Sequence, residues 1–83
     1  MVKVKLLGQL KTLFGKDFFI FDEEIKMDEI IKRLNSYKKL NLDIERRDFI
    51  IIVNGVESSL VDEDKLLKKD DEVILVPIIH GGL

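Results

Sequence analysis

A single amphipathic helix, set among segments that otherwise read as strands, restricts the fold of this chain more than any other feature. Met27, Ile30, Ile31, Leu34 and Tyr37 fall at i, i+3, i+4, i+7 and i+10, which aligns them as one apolar stripe on a helix of about three turns. Asp28 and Glu29 stand in its first turn and Lys38 and Lys39 at its end, the charge placement that the helix dipole favours. A stripe of that width has to be covered, and the rest of the chain offers strands to cover it.

The strands are read from period and punctuation. Val2, Val4 and Leu6 alternate with Lys3 and Lys5 as far as Gly8, the pattern of a half-buried strand. Leu10, Leu13 and Phe14 have helical spacing between Gln9 and Gly15, a stretch too short for more than a turn or two. Phe18-Phe19-Ile20-Phe21, bracketed by Gly15-Lys16-Asp17 and Asp22-Glu23-Glu24, predicts a second strand that pairs hairpin-like with the first. Residues 41–48 read as a loop. The β-branched run from Phe49 to Val53 predicts a central strand buried on both faces, and Asn54-Gly55 a tight turn into a short return strand at Val56-Glu57. Asp62-Glu63-Asp64 followed by Leu66 and Leu67 suggests a brief helical turn, and Lys69-Asp70-Asp71-Glu72 a further turn. Val73-Ile74-Leu75-Val76 is the last strand, closed by Pro77, which has no N–H to give to a ladder.

The order β-β-α-β-β-β predicts an α+β fold, a mixed sheet with one main helix packed on one face. Setting the first and last strands side by side at the centre gives a β-grasp, ubiquitin-like arrangement. The expected organisation is one domain over residues 1–76 and a flexible Gly-Gly tail over residues 77–83.

Composition narrows the function classes. Eighty-three residues, 46% of them apolar, are enough for one core but near the size at which disulfides or metals become necessary. The chain has no cysteine, which excludes disulfides, thiolate metal sites and a cysteine nucleophile. Charged residues make up 36% and sum to −2, against the basic excess expected of a nucleic-acid binder. No stretch has the length of a membrane span, and the N-terminus lacks a signal-peptide pattern, so a soluble cytoplasmic protein is expected. Asp62, Glu63 and Asp64, like Asp70, Asp71 and Glu72, lack the spacing of a calcium loop and read as solvated turns, with no metal site expected. Arg46-Arg47 and Lys68-Lys69 read as solubilising charge, with recognition of phosphate or of an acidic partner surface as the alternative.

The end of the chain, Pro77-Ile78-Ile79-His80-Gly81-Gly82-Leu83, carries the functional signal. Glycines have no Cβ and pass through channels closed to other residues, so an enzyme can thread Gly81 and Gly82 into its active site. The plain alternative is a frayed terminus. From Pro77 to Gly82 the extended reach is at most about 20 Å, enough to enter a partner's site while the globular part docks outside. Ile78 and Ile79 follow the proline and are expected to leave the sheet and to need a partner's groove to cover them. His80 is the sole histidine; with no candidate partner nearby it reads as a tail residue that contacts a partner rather than as an acid–base group.

The segment from Asp70 to Gly82, an acidic turn, an apolar strand and a proline before Gly-Gly, resembles the closing segment of the MoaD/ThiS family of ubiquitin-like sulfur carriers. Val2-Lys3-Val4-Lys5-Leu6-Leu7-Gly8 followed by Leu10, Leu13, Phe14 and Gly15 is similar to its molybdopterin synthase small-subunit branch, and the helix and Val53-Asn54-Gly55 fall where that family has them. The resemblance implies a β-grasp carrier of molybdenum cofactor biosynthesis. In that reading the Gly82 carboxylate is adenylated and then thiocarboxylated, and Pro77, Ile78, Ile79, His80 and Gly81 bind the partners. It implies an E1-like adenylating enzyme that uses ATP, a molybdopterin synthase large subunit that holds the active site, and no cofactor on this chain, which has no phosphate-binding loop of its own. Leu83 departs from the family pattern, in which the second glycine is terminal. It is explained by a processing peptidase, by a residue carried over from expression, or by divergence away from carrier function. A ubiquitin-like modifier of the Urm type, conjugated through the same tail, is the alternative, supported by His before Gly-Gly. A thiamine-pathway carrier, expected to be shorter, and a β-grasp interaction module without chemistry are the remaining readings.

Overall fold

The computed structural model describes residues 1–39, 42–57 and 65–78. Its elements are β1 (Val2–Leu6), α1 (Gln9–Phe14), β2 (Phe18–Phe21), β3 (Ile25–Lys26), α2 (Met27–Asn35), β4 (Phe49–Val53), β5 (Val56–Glu57), β6 (Leu66–Leu67) and β7 (Glu72–Pro77). Five strands form one mixed sheet in the order β2-β1-β7-β4-β5, and β3 and β6 form a second, two-stranded sheet. β1 and β7 lie parallel at the centre, with Val4 opposite Val73 and Leu6 opposite Leu75. Both outer neighbours are antiparallel, β2 against β1 and β4 against β7. This is the β-grasp fold expected from the sequence.

One face of the sheet carries the core. Val2, Val4 and Leu6 of β1, Phe49, Ile51 and Val53 of β4, and Val73 and Leu75 of β7 are buried against Met27, Ile30, Ile31 and Leu34 of α2. Leu10 and Phe14 of α1 close one end, where Phe14, Phe19 and Tyr37 meet edge-on or tilted at ring-centroid distances of 4.9 to 5.6 Å. Gly15 ends α1 at φ 69°, the left-handed position for which glycine has no steric penalty.

Helix α2 is shorter than the stripe suggested. It ends at Asn35, whose side chain clamps the backbone of Ile44, accepting from its N–H at 2.8 Å and donating to its carbonyl at 2.9 Å. That bond diverts the chain, and Tyr37 to Lys39 continue as a 3₁₀ turn with Lys38 at φ 46°. Tyr37 therefore reaches the core from beyond the helix. At the other end Lys26 supplies no side-chain cap, and the Met27 N–H donates to the Lys65 carbonyl at 3.0 Å. The small β3–β6 sheet holds that contact in place, with Ile25 opposite Leu67. Leu66 and Leu67 are thus a strand and not the expected helical turn; residues 62–64 lie outside the described residues.

Two further expectations change. β4 is buried on one face only: Phe49, Ile51 and Val53 face α2, while Ile50 is exposed and Ile52 half-buried. Among the described residues the one main helix, of nine residues, packs on the face of Phe49, Ile51 and Val53. The last strand also runs past Val76, since Pro77 pairs with Phe49 and Ile78 N–H donates to the Asp48 carbonyl at 2.9 Å. Proline is accommodated because its nitrogen faces the β1 side, where β1 has ended, so no ladder bond is lost. Among the described residues no helix is long and apolar enough to cross a membrane.

Candidate functional site at the end of the last strand

β7 is held along its whole length. At its start Asn54 N–H donates to the Glu72 carbonyl at 2.8 Å, and Glu72 N–H to Asn54 Oδ1 at 2.9 Å. Asn54 Nδ2 donates to Asp71 Oδ1 at 3.0 Å, and Lys68 N–H to Asp71 Oδ2 at 2.7 Å. These two bonds, the Asn54 side chain first, hold the Asp71 carboxyl below the usual carboxylate range. Asn54 at φ 51° and Gly55 at φ 82° make the tight turn that places the Asn54 side chain there.

The other end of β7 is the candidate site. Pro77 packs on Gly8, where an added Cβ would stand 3.3 Å from Pro77 Cγ, and Gly8 itself lies at φ 56°. On the opposite side Ile78 is tied to Asp48, within a 3₁₀ turn that Asp48 closes by accepting from Glu45 N–H at 2.8 Å. The chain therefore leaves the sheet from its middle, between two fixed turns, and not from a loose edge. Of the residues expected to form the tail, Pro77 and Ile78 are half-buried parts of the sheet's rim, while Ile79, His80, Gly81, Gly82 and Leu83 lie outside the described residues.

Next to this exit the uncovered face of the sheet is apolar. Register places Ile74 opposite Ile52 and Val76 opposite Ile50, and alternation carries the same face up to Ile78. Lys3 and Lys5 of β1 flank this strip, Lys5 opposite Ile74, and on their far side stand Phe18 and Ile20 of β2. The strip was hidden in the sequence inside runs that are apolar at every position. The signal that gives it away is arithmetic: β2 and β4 have two apolar faces and the chain has one main helix. The paired cations noted in the sequence do not gather here as one patch. Arg47 Nε is 2.6 Å from Glu45 Oε2, and Lys68 and Lys69 are in the turn before β7, at the opposite end of the sheet.

Comparison with known proteins agrees with this geometry. The family model described as "ThiS family" matches residues 4–82, which takes in both glycines. Similar solved structures include a putative molybdopterin converting factor subunit 1 from Pyrococcus furiosus, at 25% identity and TM-score 0.68, covering 94% of this chain and 97% of that one. Urm1 from Sulfolobus solfataricus has 24% identity and TM-score 0.66, with 92% and 99% covered. The complex of subunits 1 and 2 of molybdopterin-converting factor from Helicobacter pylori 26695 has 22% identity and TM-score 0.62, with 98% and 97% covered. The search of curated proteins gives no match. With a family match over nearly its whole length and a β-grasp sheet with its first and last strands paired at the centre, the chain belongs to the ThiS family of ubiquitin-like sulfur carriers.

Proposed function

We propose that the protein is the small, sulfur-carrying subunit of a molybdopterin synthase, working through the carboxylate of Gly82. The observation that carries the reading is that β7 lies at the centre of the sheet and ends at Pro77, four positions before Gly81 in a sequence whose family match takes in Gly81 and Gly82. In the proposed chemistry a Gly82 carboxylate oxygen attacks the α-phosphorus of ATP on an adenylating partner and pyrophosphate leaves. Sulfide sulfur then attacks the acyl carbon, AMP leaves with its C–O bond broken, and a thiocarboxylate remains. Activation has to precede sulfur transfer because a free carboxylate is a poor electrophile. The apolar strip Ile50, Ile52, Ile74 and Val76, continuous with the exit, fits the partner's docking surface, with Lys3 and Lys5 as its polar rim. The similarity to the Pyrococcus furiosus protein, at 25% identity, supports the molybdopterin branch.

His80 before the glycines favours one second reading, a Urm-type modifier whose activated terminus is attacked by a lysine amine. Leu83 matters to both, since a residue after Gly82 keeps the Gly82 carboxyl in a peptide bond. The test is ATP–pyrophosphate exchange with the cognate adenylating enzyme, using the 83-residue chain and a chain ending at Gly82, each checked by mass. Exchange by the trimmed chain alone is expected; equal exchange by both removes the requirement for terminal glycine. Intact mass of protein isolated from its native host then separates the readings: replacement of oxygen by sulfur supports the carrier, an attached protein the modifier. Absence of exchange by either chain sinks both.

A further inference from the structure

β2 is a short edge strand of four residues, with neither charge nor proline within it, two of the features by which sheet edges are normally protected. It is the outermost strand on its side of the sheet. The direction of its free backbone groups is fixed by the ladder. Leu6 N–H donates to the Asp17 carbonyl at 2.8 Å, so Asp17, Phe19 and Phe21 face β1 and the N–H and C=O groups of Phe18 and Ile20 face away from the sheet. Among the described residues no backbone bond reaches those groups from outside. The side chains of Phe18 and Ile20 are 42% and 43% exposed on the uncovered face.

The flanks of this edge have opposite charge. Lys16 and Asp17 precede the strand; Asp17 Oδ1 is paired with Lys11 Nζ at 3.4 Å, which leaves the charge of Lys16, whose Nζ is 4.3 Å from the centroid of the Phe19 ring, unbalanced at this end. Asp22, Glu23 and Glu24 follow it, in the wall of a cavity of about 320 Å³ that Ile20, Phe21, Ile25 and Arg33 also line. Basic at one end, acidic at the other and apolar between, the segment is complementary to itself when turned end for end.

We infer that β2 pairs antiparallel with β2 of a second copy, Phe18 opposite Ile20, joining the two five-stranded sheets into one. In that register the outward N–H and C=O groups of Phe18 and Ile20 bond to those of Ile20 and Phe18 of the second copy. Their side chains form two apolar cross-strand pairs, and Phe19 stands opposite itself on the α2 side. Lys16 then falls opposite Asp22 of the second copy, at the mouth of the acid-walled cavity. Shifting the pairing by two residues leaves Lys16 facing another carboxylate, Glu24, but puts Phe18 opposite Asp22 and so wastes its apolar contact. The association leaves β7 and the tail exit two strands away from the seam, so it is independent of the sulfur-carrier reading.

The test is sedimentation equilibrium of the full chain over a concentration series up to about 1 mM, the range in which weak association registers. Lys16→Glu sets carboxylates against each other and is expected to weaken the dimer by about tenfold or more. The double variant Lys16→Glu/Asp22→Lys restores the opposite charges and is expected to bring association back. Ile20→Lys, which places a charge on the edge as natural edge strands do, is expected to leave a monomer; circular dichroism melts of each variant check that the fold is kept. Because the chain has no cysteine, register is read separately. A mixture of Phe18→Cys and Ile20→Cys chains should cross-link to each other faster than either does to itself. A protein that stays monomeric throughout, a dimer indifferent to the charge substitutions, or equal cross-linking in all combinations overturns the proposal.

Discussion

Gly8 and Asp71 hold the two ends of β7 by different physics. At Gly8 the backbone lies at φ 56° and ψ −133°, a combination closed to residues with a Cβ, and the space where that Cβ would go is already occupied by Pro77 at 3.3 Å. Gly8→Ala is therefore expected to cost about 1–3 kcal/mol, measured by denaturant unfolding, and to loosen Pro77; an unchanged midpoint would mean that this turn rearranges freely. At Asp71 the effect is electrostatic. Its carboxylate accepts from Asn54 and Lys68, which lowers its pKa in the folded state. A lowered folded pKa means that the stabilisation is complete above the unfolded value of about 3.9 and is lost as pH falls through the folded value. Asp71→Asn should therefore be less stable than the parent at pH 7, and the gap in Tm should close as pH is taken below about 4. A gap independent of pH would assign the role of Asp71 to shape alone.

At the scale of elements, α2 supplies four buried residues to the core, Met27, Ile30, Ile31 and Leu34, so its stripe should be sensitive. Leu34 is 1% exposed, and Leu34→Ala is expected to cost about 2–5 kcal/mol in a domain whose total is roughly 4–12 kcal/mol. A loss below about 1 kcal/mol by urea titration would contradict the packing described. This helix, the strand pair β1–β2, the Asn54-Gly55 turn and the central pairing of first and last strands were all legible in the sequence, because each rests on a local period or a local backbone demand. What stayed hidden depends on distant partners. The Asn35–Ile44 clamp stops α2 before Tyr37, although the apolar stripe continues. Leu66 and Leu67 are strand because Ile25 and Lys26 lie beside them; nothing in Leu-Leu itself says so. The pattern of β4 was misleading for another reason: an unbroken apolar run reads as burial on both faces, and here Ile50 is exposed and Ile52 only half-buried. Of the candidate site, the glycines and the proline were visible as residue types, whereas the apolar strip beside them exists only once β4 and β7 are in register.

For the whole molecule, the described sheet ends one residue past β7. The sheet's last described anchor is Ile78 on Asp48, so deleting Gly81 to Leu83 is expected to leave Tm unchanged while adenylation ceases. A large fall in Tm would show those residues to be part of the packed structure and would end the carrier reading of them. The parallel pairing of β1 with β7 bears also on how the protein is made. β1 finds its central neighbour in β7, so a nascent chain released before β7 lacks the middle of its sheet. Folding is thereby deferred until the ribosome has finished β7, a non-local closure that slows folding. Its consequence is an order of events: a chain whose five-stranded sheet has closed has been translated at least through Pro77.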